Sequence, residues 1–350
     1  MSPSVETHLW NSEAAIAATG GFGAPDWRAD GVSIDSRDIA SGDLFIAIKG
    51  PRFDGHKFTA DALAAGAACA VVDHRPDSVV GDAPLLEVPD TMVALEDLGR
   101  AARSRTAAKV IAVTGSVGKT GTKEALRFVL EDQAPAVASR GSFNNHWGVP
   151  LSLSRMPADT AFGVFEIGMN HPGEITPLTK MVRPDVVVIT NVESVHSAYF
   201  DSIDAIADAK AEIFSGLNEG GVAILNRDND QYDRLAAAAA QAGVQTIVGF
   251  GEHAEAVARA VDIRADSEGS DVDAMICGQD ITYRLGQPGR HWVMNSLAVL
   301  AAVDAVGGDV GRAAAELANM RGLKGRGQRH TVTMPGGSFI VIDESYNASP

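Results

Sequence analysis

The segment KVIAVTGSVGKTGTKEAL, residues 109–126, limits what this chain can fold into more than any other stretch. A β-branched run, Val110 to Val113, gives way to a glycine-rich turn. A Lys119-Thr120 pair then opens a stretch whose apolar residues, Ala125, Leu126, Val129 and Leu130, recur at helical spacing. A buried strand that feeds a helix through such a turn is the building block of a parallel sheet with helices on its faces. Gly115 and Gly118 let backbone N–H groups close around phosphate oxygens, helped by the positive end of the following helix. On this reading Thr114, Gly115, Ser116, Val117 and Gly118 form the cradle, Lys119 reaches the terminal phosphates, and the Thr120 hydroxyl can ligate Mg²⁺. The spacing departs from the common GxxxxGK[ST], which would put its first glycine where Val113 stands. The competing reading is a plain glycine turn.

Strand-like runs alternate with alanine-rich helical stretches along the whole chain, which predicts an α/β fold with mostly parallel sheets. DLFIAIKG (43–50) reads as a strand, and FTADALAAGAACAVVD (58–73) as a helix, a glycine stop and a buried strand. A helix from Met92 to Ala107 closes an N-terminal domain, 1–107. A central domain, 108–322, is expected to carry strands at 110–113, 161–167, 185–190, 221–226 and 245–250, antiparallel strands within 261–285, and a helix at 291–307. The Gly/Arg-rich RGLKGRGQR (321–329) reads as a linker. SFIVIDE (338–344) begins something new and the chain stops six residues after it, so 323–350 is read as a linker and the start of a truncated third domain.

In an open α/β sheet the carboxyl ends of the strands converge on the ligand crevice. Glu166 ends an otherwise apolar strand, and His196 follows the next one in TNVESVH; together they can bind a second divalent cation, or each can be an ordinary surface residue. Lys210, in DAKAEIFSGL, reads by itself as a solvated helix lysine. Asn144 and Asn145 stand before a Gly-Val-Pro turn, where adjacent amides suit either ligand contacts or turn formation. Ser36 and Arg37, in DSRD, flank a strand, and Arg37 can pair with a ligand phosphate or with solvent.

The net charge of −16 on 350 residues argues against nucleic acid or an anionic membrane surface as partner, so an anionic ligand must be held by local donors. Cys69 and Cys277 lie in apolar settings and read as free thiols of a reducing compartment. MSPSVETHLW has no basic-then-apolar signal, and no run approaches the ~18 apolar residues of a membrane span. A cytoplasmic, soluble protein is expected.

Taken together, TGSVGKT, FNNHWGVPLSL, EIGMNHPGEI, TNVESVH, AKAEIFSGL, PGRHWVMNSLAVLAA, KGRGQR and VIDESYNASP appear in the order seen in the Mur ligases, the ATP-dependent amide-forming enzymes of peptidoglycan precursor synthesis. The chain resembles that family from about residue 30 to its last residue, and the family's loop has the TGxxGKT spacing found here. Ser116 in the loop, NHPGEI and DESYNASP resemble most the member that joins D-Ala-D-Ala to UDP-N-acetylmuramoyl-tripeptide; the member adding the third amino acid ranks second.

The resemblance implies a UDP-sugar-binding domain, a central ATPase domain and a Rossmann-like C-terminal domain, acting as a monomer on small-molecule substrates. It implies that Lys119 contacts the β- and γ-phosphates of ATP, that Thr120 holds a first Mg²⁺, and that Glu166 and His196 hold a second. Lys210 matches a lysine carbamylated by CO₂ that supports the second metal. Asn295 matches an adenine contact, Arg326 a ribose and phosphate contact, Asp343 a contact on the ribose or hinge side, and Ser36 and Arg37 contacts to the UDP end. Trp292 departs from the family, which more often has Asn there. With only the first strand of its third domain, the chain is expected to bind ATP and the UDP-sugar yet catalyse poorly, the complete gene product being active. A small-molecule kinase or hydrolase on the same loop, and a non-catalytic binding module, are the competing classes.

Overall fold

The computed structural model describes residues 8–50, 53–194, 200–322, 325, 327–335, 337–343 and 345–346. In chain order these form β1 (Trp10–Asn11), α1 (Ser12–Thr19), β2 (Phe22–Gly23), β3 (Arg28–Ala29), β4 (Gly31–Ser33), β5 (Asp43–Ile46), α2 (Thr59–Ala64), β6 (Cys69–Val72), β7 (Leu85–Glu87) and α3 (Thr91–Ser104). There follow β8 (Lys109–Thr114), α4 (Lys119–Glu131), β9 (Ala136–Ala138), α5 (Gly148–Ser154), β10 (Phe162–Glu166), α6 (Ile175–Val182), β11 (Val186–Ile189), α7 (Ile203–Ala211), β12 (Val222–Asn226) and α8 (Tyr232–Gln241). Last come β13 (Thr246–Gly251), β14 (Ala258–Ala265), β15 (Ser270–Ile276), β16 (Gln279–Leu285), α9 (Arg290–Ala305), α10 (Val310–Glu316), β17 (Gln328–Met334) and β18 (Gly337–Asp343). Contacts divide the chain into two compact units, 1–108 with 139–161, and 109–138 with 162–350.

The first unit is built on a five-stranded sheet ordered β2-β7-β6-β5-β4, parallel except at the β2 edge. The sequence reading gives 139–161 to the central domain, whereas here this segment packs with the first unit. The reason is chemical. All seven residues of α5 are buried, so the helix cannot ride on a surface. Leu151 joins the core of Trp10, Leu95 and Leu98, and the Trp10 indole donates to the Ser154 carbonyl at 2.8 Å. The expected Gly-Val-Pro turn is instead the first turn of α5, where a proline costs no intrahelical bond.

The second unit holds a nine-stranded sheet ordered β16-β15-β14-β13-β12-β11-β8-β10-β9. From β9 to β14 all neighbours run parallel, and β14, β15 and β16 form an antiparallel meander. The central strands are buried on both faces, which is why β8 and β11 read as unbroken apolar runs rather than alternating ones. Ile111 and Val113 of β8 pack with Leu126, Val129 and Leu130 of α4 and with Leu297 and Leu300 of α9. After β8 the chain builds outward through β9 and β10, then returns to the other side of β8 with β11. The strand order therefore reverses at β8, and the crevice beyond its carboxyl end is where such sheets bind ligands.

The linker reading of 321–329 is modified as well. Gln328 and Arg329 already belong to β17, which pairs with β18 as an antiparallel hairpin whose residues Phe339 to Ile342 are 42–56% exposed. Among the described residues no helix is long and apolar enough to cross a membrane.

Candidate active site

The glycine loop after β8 is shaped by what lies behind it. β8 ends in the fully buried Thr114, and the chain turns through Gly115 at φ 148° and Gly118 at φ 86° before α4 begins at Lys119. Both angles favour glycine. Space demands it too: a Cβ on Gly115 would overlap the Thr190 hydroxyl, and one on Gly118 would lie 3.0 Å from Asn295 Oδ1.

The segment after β11 forms the rear wall. The Ser116 N–H donates to the Asn191 carbonyl at 2.9 Å, and the Thr190 hydroxyl donates to the Val117 carbonyl at 2.5 Å. The Ser116 hydroxyl donates to the Glu193 carbonyl at 3.0 Å and accepts the Glu193 N–H at 2.9 Å. Ser116 thus braces the loop with its side chain. The first amides of α4 have no intrahelical acceptor, since the ladder starts with Thr122 N–H to the Gly118 carbonyl. Lys119 Nζ curls over the turn, donating to the carbonyls of Gly115 at 2.6 Å and Ser116 at 3.2 Å.

β10 lies beside β8 with Glu166 opposite Val113, which brings its carboxylate level with the loop. Glu166 is 1% exposed, and the Thr120 hydroxyl donates to its Oε2 at 2.9 Å. A buried carboxylate touching a buried hydroxyl is a hard-oxygen donor set, and it fits Mg²⁺.

Lys210 is not the solvated lysine its helix alone suggests. It is 2% exposed, and burial, reinforced by the positive charge of Lys119, lowers its pKa to about 7. Among the described residues no carboxylate pairs with it. Its amine is therefore substantially neutral near pH 7, and so nucleophilic.

Other expected positions fall in varied places. Asn295, on α9, faces Gly118, while Trp292 on the same helix is buried with its ring against Gly121. His196 and Arg326 lie outside the described residues. Asp343 accepts hydrogen bonds from Gly325 N–H at 3.0 Å and from the N–H and hydroxyl of Ser345 at 3.1 and 2.6 Å, which hold its carboxyl below the usual range.

Ser36, Arg37, Asn144 and Asn145 belong to the first unit. Asn145, just ahead of α5, accepts the Gly148 N–H on its Oδ1 at 2.9 Å. Arg37 grips Asp35 through Nε at 2.9 Å and Nη2 at 2.7 Å, lowering the Asp35 pKa to about 2. Sequence reasoning missed Thr190, Asn191 and Glu193; their place just beyond a strand end was the available signal.

Among the described residues the one group of three or more metal-type side chains within reach of each other is His56, Asp73 and His74, in the first unit. It is built as a clamp. His56 Nδ1 faces Asp54 at 2.7 Å, its Nε2 accepts the Asp73 N–H at 3.0 Å, and the two imidazoles stack 4.5 Å apart at 19°. Stacked rings aim their lone pairs in separate planes, which does not suit one shared ion.

Comparison with known proteins bears on the same residues. The Mur ligase middle domain matches residues 113–303, and the Mur ligase family catalytic domain matches 28–103. The UDP-N-acetylmuramoyl-tripeptide–D-alanyl-D-alanine ligase of Rickettsia prowazekii is 34% identical over 342 residues, 98% of this chain and 75% of that one. This chain belongs to the Mur ligase family. A crystal structure of MurF from Acinetobacter baumannii superposes with a TM-score of 0.86 at 34% identity, covering 97% of this chain and 73% of that one. MurF ligase from Thermotoga maritima, solved in complex with ADP, gives 0.75 at 27% identity, covering 91% and 71%. The Mur ligase fold, α/β with mostly parallel sheets, is the one described above.

Proposed function

We propose that this protein is an ATP-dependent amide ligase that joins D-Ala-D-Ala to UDP-N-acetylmuramoyl-tripeptide in the cytoplasm, during peptidoglycan precursor synthesis. The observation that carries the reading is the cluster at the β8 switch point: a glycine loop, Thr120 against a buried Glu166, and a buried Lys210 with no carboxylate partner among the described residues. The ligase names of its relatives support it.

A carboxylate and an amine do not condense at neutral pH, because oxide leaves too poorly. Moving the γ-phosphoryl of ATP onto the tripeptide carboxylate makes an acyl phosphate, whose leaving group is phosphate, and the dipeptide amine then attacks it. The first step brings anions together, so the protein's task is positioning and positive charge. The α4 amides and Gly115 cradle phosphate oxygens, and Lys119 leaves its carbonyl contacts to meet the terminal phosphates. Thr120 and Glu166 would hold one Mg²⁺, and Glu166, His196 and Lys210 a second. When bound, such ions neutralise charge on the transferring oxygens, by several kcal/mol per contact.

A neutral, buried Lys210 amine can add to CO₂, forming an N–C bond and releasing a proton. The carbamate is an anionic oxygen donor where the sequence supplies only an amine. Asn295 faces the adenosine end, and Ser36 and Arg37 the UDP end.

The test is ADP release. It should require both the UDP-muramoyl tripeptide and D-Ala-D-Ala. Release that needs diaminopimelate or lysine instead of the dipeptide contradicts the substrate assignment, and a stable phosphorylated product contradicts ligation.

A further inference from the structure

Glu166 and Lys210 stand on different elements, and one side chain outside that pair ties the elements together. Glu212, two residues after Lys210, opens the 3₁₀ turn Glu212–Gly216 that continues α7. Its Oε1 accepts the Gly173 N–H at 2.5 Å, and its Oε2 accepts both the N–H and the hydroxyl of Thr176, each at 3.0 Å. Both partners belong to the segment that leaves Glu166: Gly173 in the loop after β10, and Thr176 in the first turn of α6.

That turn lacks a cap of its own. The N-cap residue Glu174 makes no side-chain cap bond, and its carboxylate instead accepts the Asn170 N–H at 2.7 Å. Helix starts leave amides without intrahelical acceptors, and an anion there is favourable. Glu212 supplies that anion from the Lys210 side. The seam below is tight as well: the Thr179 hydroxyl donates to the Ile213 carbonyl at 2.8 Å, and a Cβ on Gly216 would run into the Thr179 carbonyl.

We propose that Glu212 is a positioning residue for the phosphoryl-transfer site, its carboxylate fixing the loop behind Glu166 to the helix of Lys210 and so setting the spacing at which the two act. The assignment rests on the ligase reading. Glutamine at 212 keeps one acceptor but turns an NH₂ toward donors, so it should be an intermediate variant; alanine removes all three bonds.

Two measurements test it on the enzyme. The first is amide exchange without nucleotide or metal, where the Gly173 and Thr176 amides should exchange at least ~10-fold faster in Glu212→Gln than in wild type. The second is ADP release against Mg²⁺ concentration. Glu212→Ala should lower kcat roughly 10–100-fold and raise the Mg²⁺ needed for half-maximal rate at least ~10-fold, the range typical of residues that orient metal ligands, with KM for D-Ala-D-Ala changed less than about twofold.

A variant that melts earlier yet keeps the wild-type Mg²⁺ requirement and kcat overturns the proposal, because that is what a merely structural role gives. If Glu212→Ala does not fold, Glu212→Gln and Thr176→Ala carry the same comparison. A wild-type enzyme with no substrate-dependent ADP release overturns the ligase reading; unchanged amide exchange overturns the clamp.

Discussion

His56 in the first unit and Lys210 in the second are buried to the same degree, 2% exposed, yet they are treated in opposite ways. The imidazole has a partner on each nitrogen, Asp54 on one and the Asp73 backbone on the other. The amine has no carboxylate partner among the described residues and sits in the field of Lys119. Burying an ionisable group is costly unless it is paired, so a paired one can be retained for the fold alone. An unpaired one is tolerated where its altered ionisation is used. On the proposed function the contrast separates a structural clamp from a reactive site, without reference to either sequence motif.

The largest expected effect bears on the reactive side. Lys119→Ala should reduce ADP release by about 10²–10³-fold, the scale of losing one preorganised charge at a transition state, while the melting temperature stays close to wild type. Retention of most activity would mean that the loop holds something other than the reacting phosphates. Lys210→Ala should cost about 10²-fold, and short-chain carboxylates added to the assay should restore part of it by supplying the missing anion. Full loss without rescue would leave Lys210 as a buried amine and remove the carbamate from the mechanism.

On the clamp side the readout moves from rate to stability. His56→Ala strands the Asp73 N–H and opens a hole beneath it, which should cost about 2–4 kcal/mol in unfolding while ATP affinity is unchanged. A drop in ATP affinity of the same size would erase the distinction between the two groups.

Lys210 carries its own stability signature. Its folded pKa of about 7 lies below the ordinary 10.5, so between those values the unfolded chain binds the extra proton and stability rises with pH. The penalty of burying the amine is full below pH 7 and fades as pH climbs toward 10.5. Lys210→Met should therefore stabilise the protein more at pH 6 than at pH 10, as urea unfolding at the two pH values would show. An equal gain at both would mean that the amine is not depressed in the folded state.

How much of this was legible beforehand follows from how local each signal is. The glycine turn from strand to helix was, because strand, glycines and Lys119-Thr120 are contiguous, and so were the central strands, whose unbroken apolar runs declare burial on both faces. Lys210 was legible only through resemblance: its helix has polar neighbours, and what buries it comes from other elements. Thr190 and Asn191 were missed because a loop's rear wall is set by strand order, which spacing along the chain does not encode. The packing of 139–161 was not legible for a related reason, since Gly148-Val149-Pro150 suits a turn or a helix start and only the buried surroundings of α5 decide between them.

The smallest expected effect probes that last assignment. Gly99 lies within α3, where alanine is ordinarily the better helix former by about 1 kcal/mol. Here its Cβ would sit 3.0 Å from the Pro150 carbonyl oxygen and 3.2 Å from Pro150 Cα. Those atoms are backbone of α5, every residue of which is buried, so the helix can retreat only by disturbing the Trp10 and Leu98 core. Overpacking of this kind costs about 1–3 kcal/mol, enough to cancel the propensity gain and reverse its sign. Gly99→Ala should thus lower stability by up to about 1–2 kcal/mol in urea unfolding, with ADP release per folded molecule unchanged. If it stabilises instead, the α3–α5 seam has room to move, and the first unit holds 139–161 less firmly than the clamp at His56 holds its own strands.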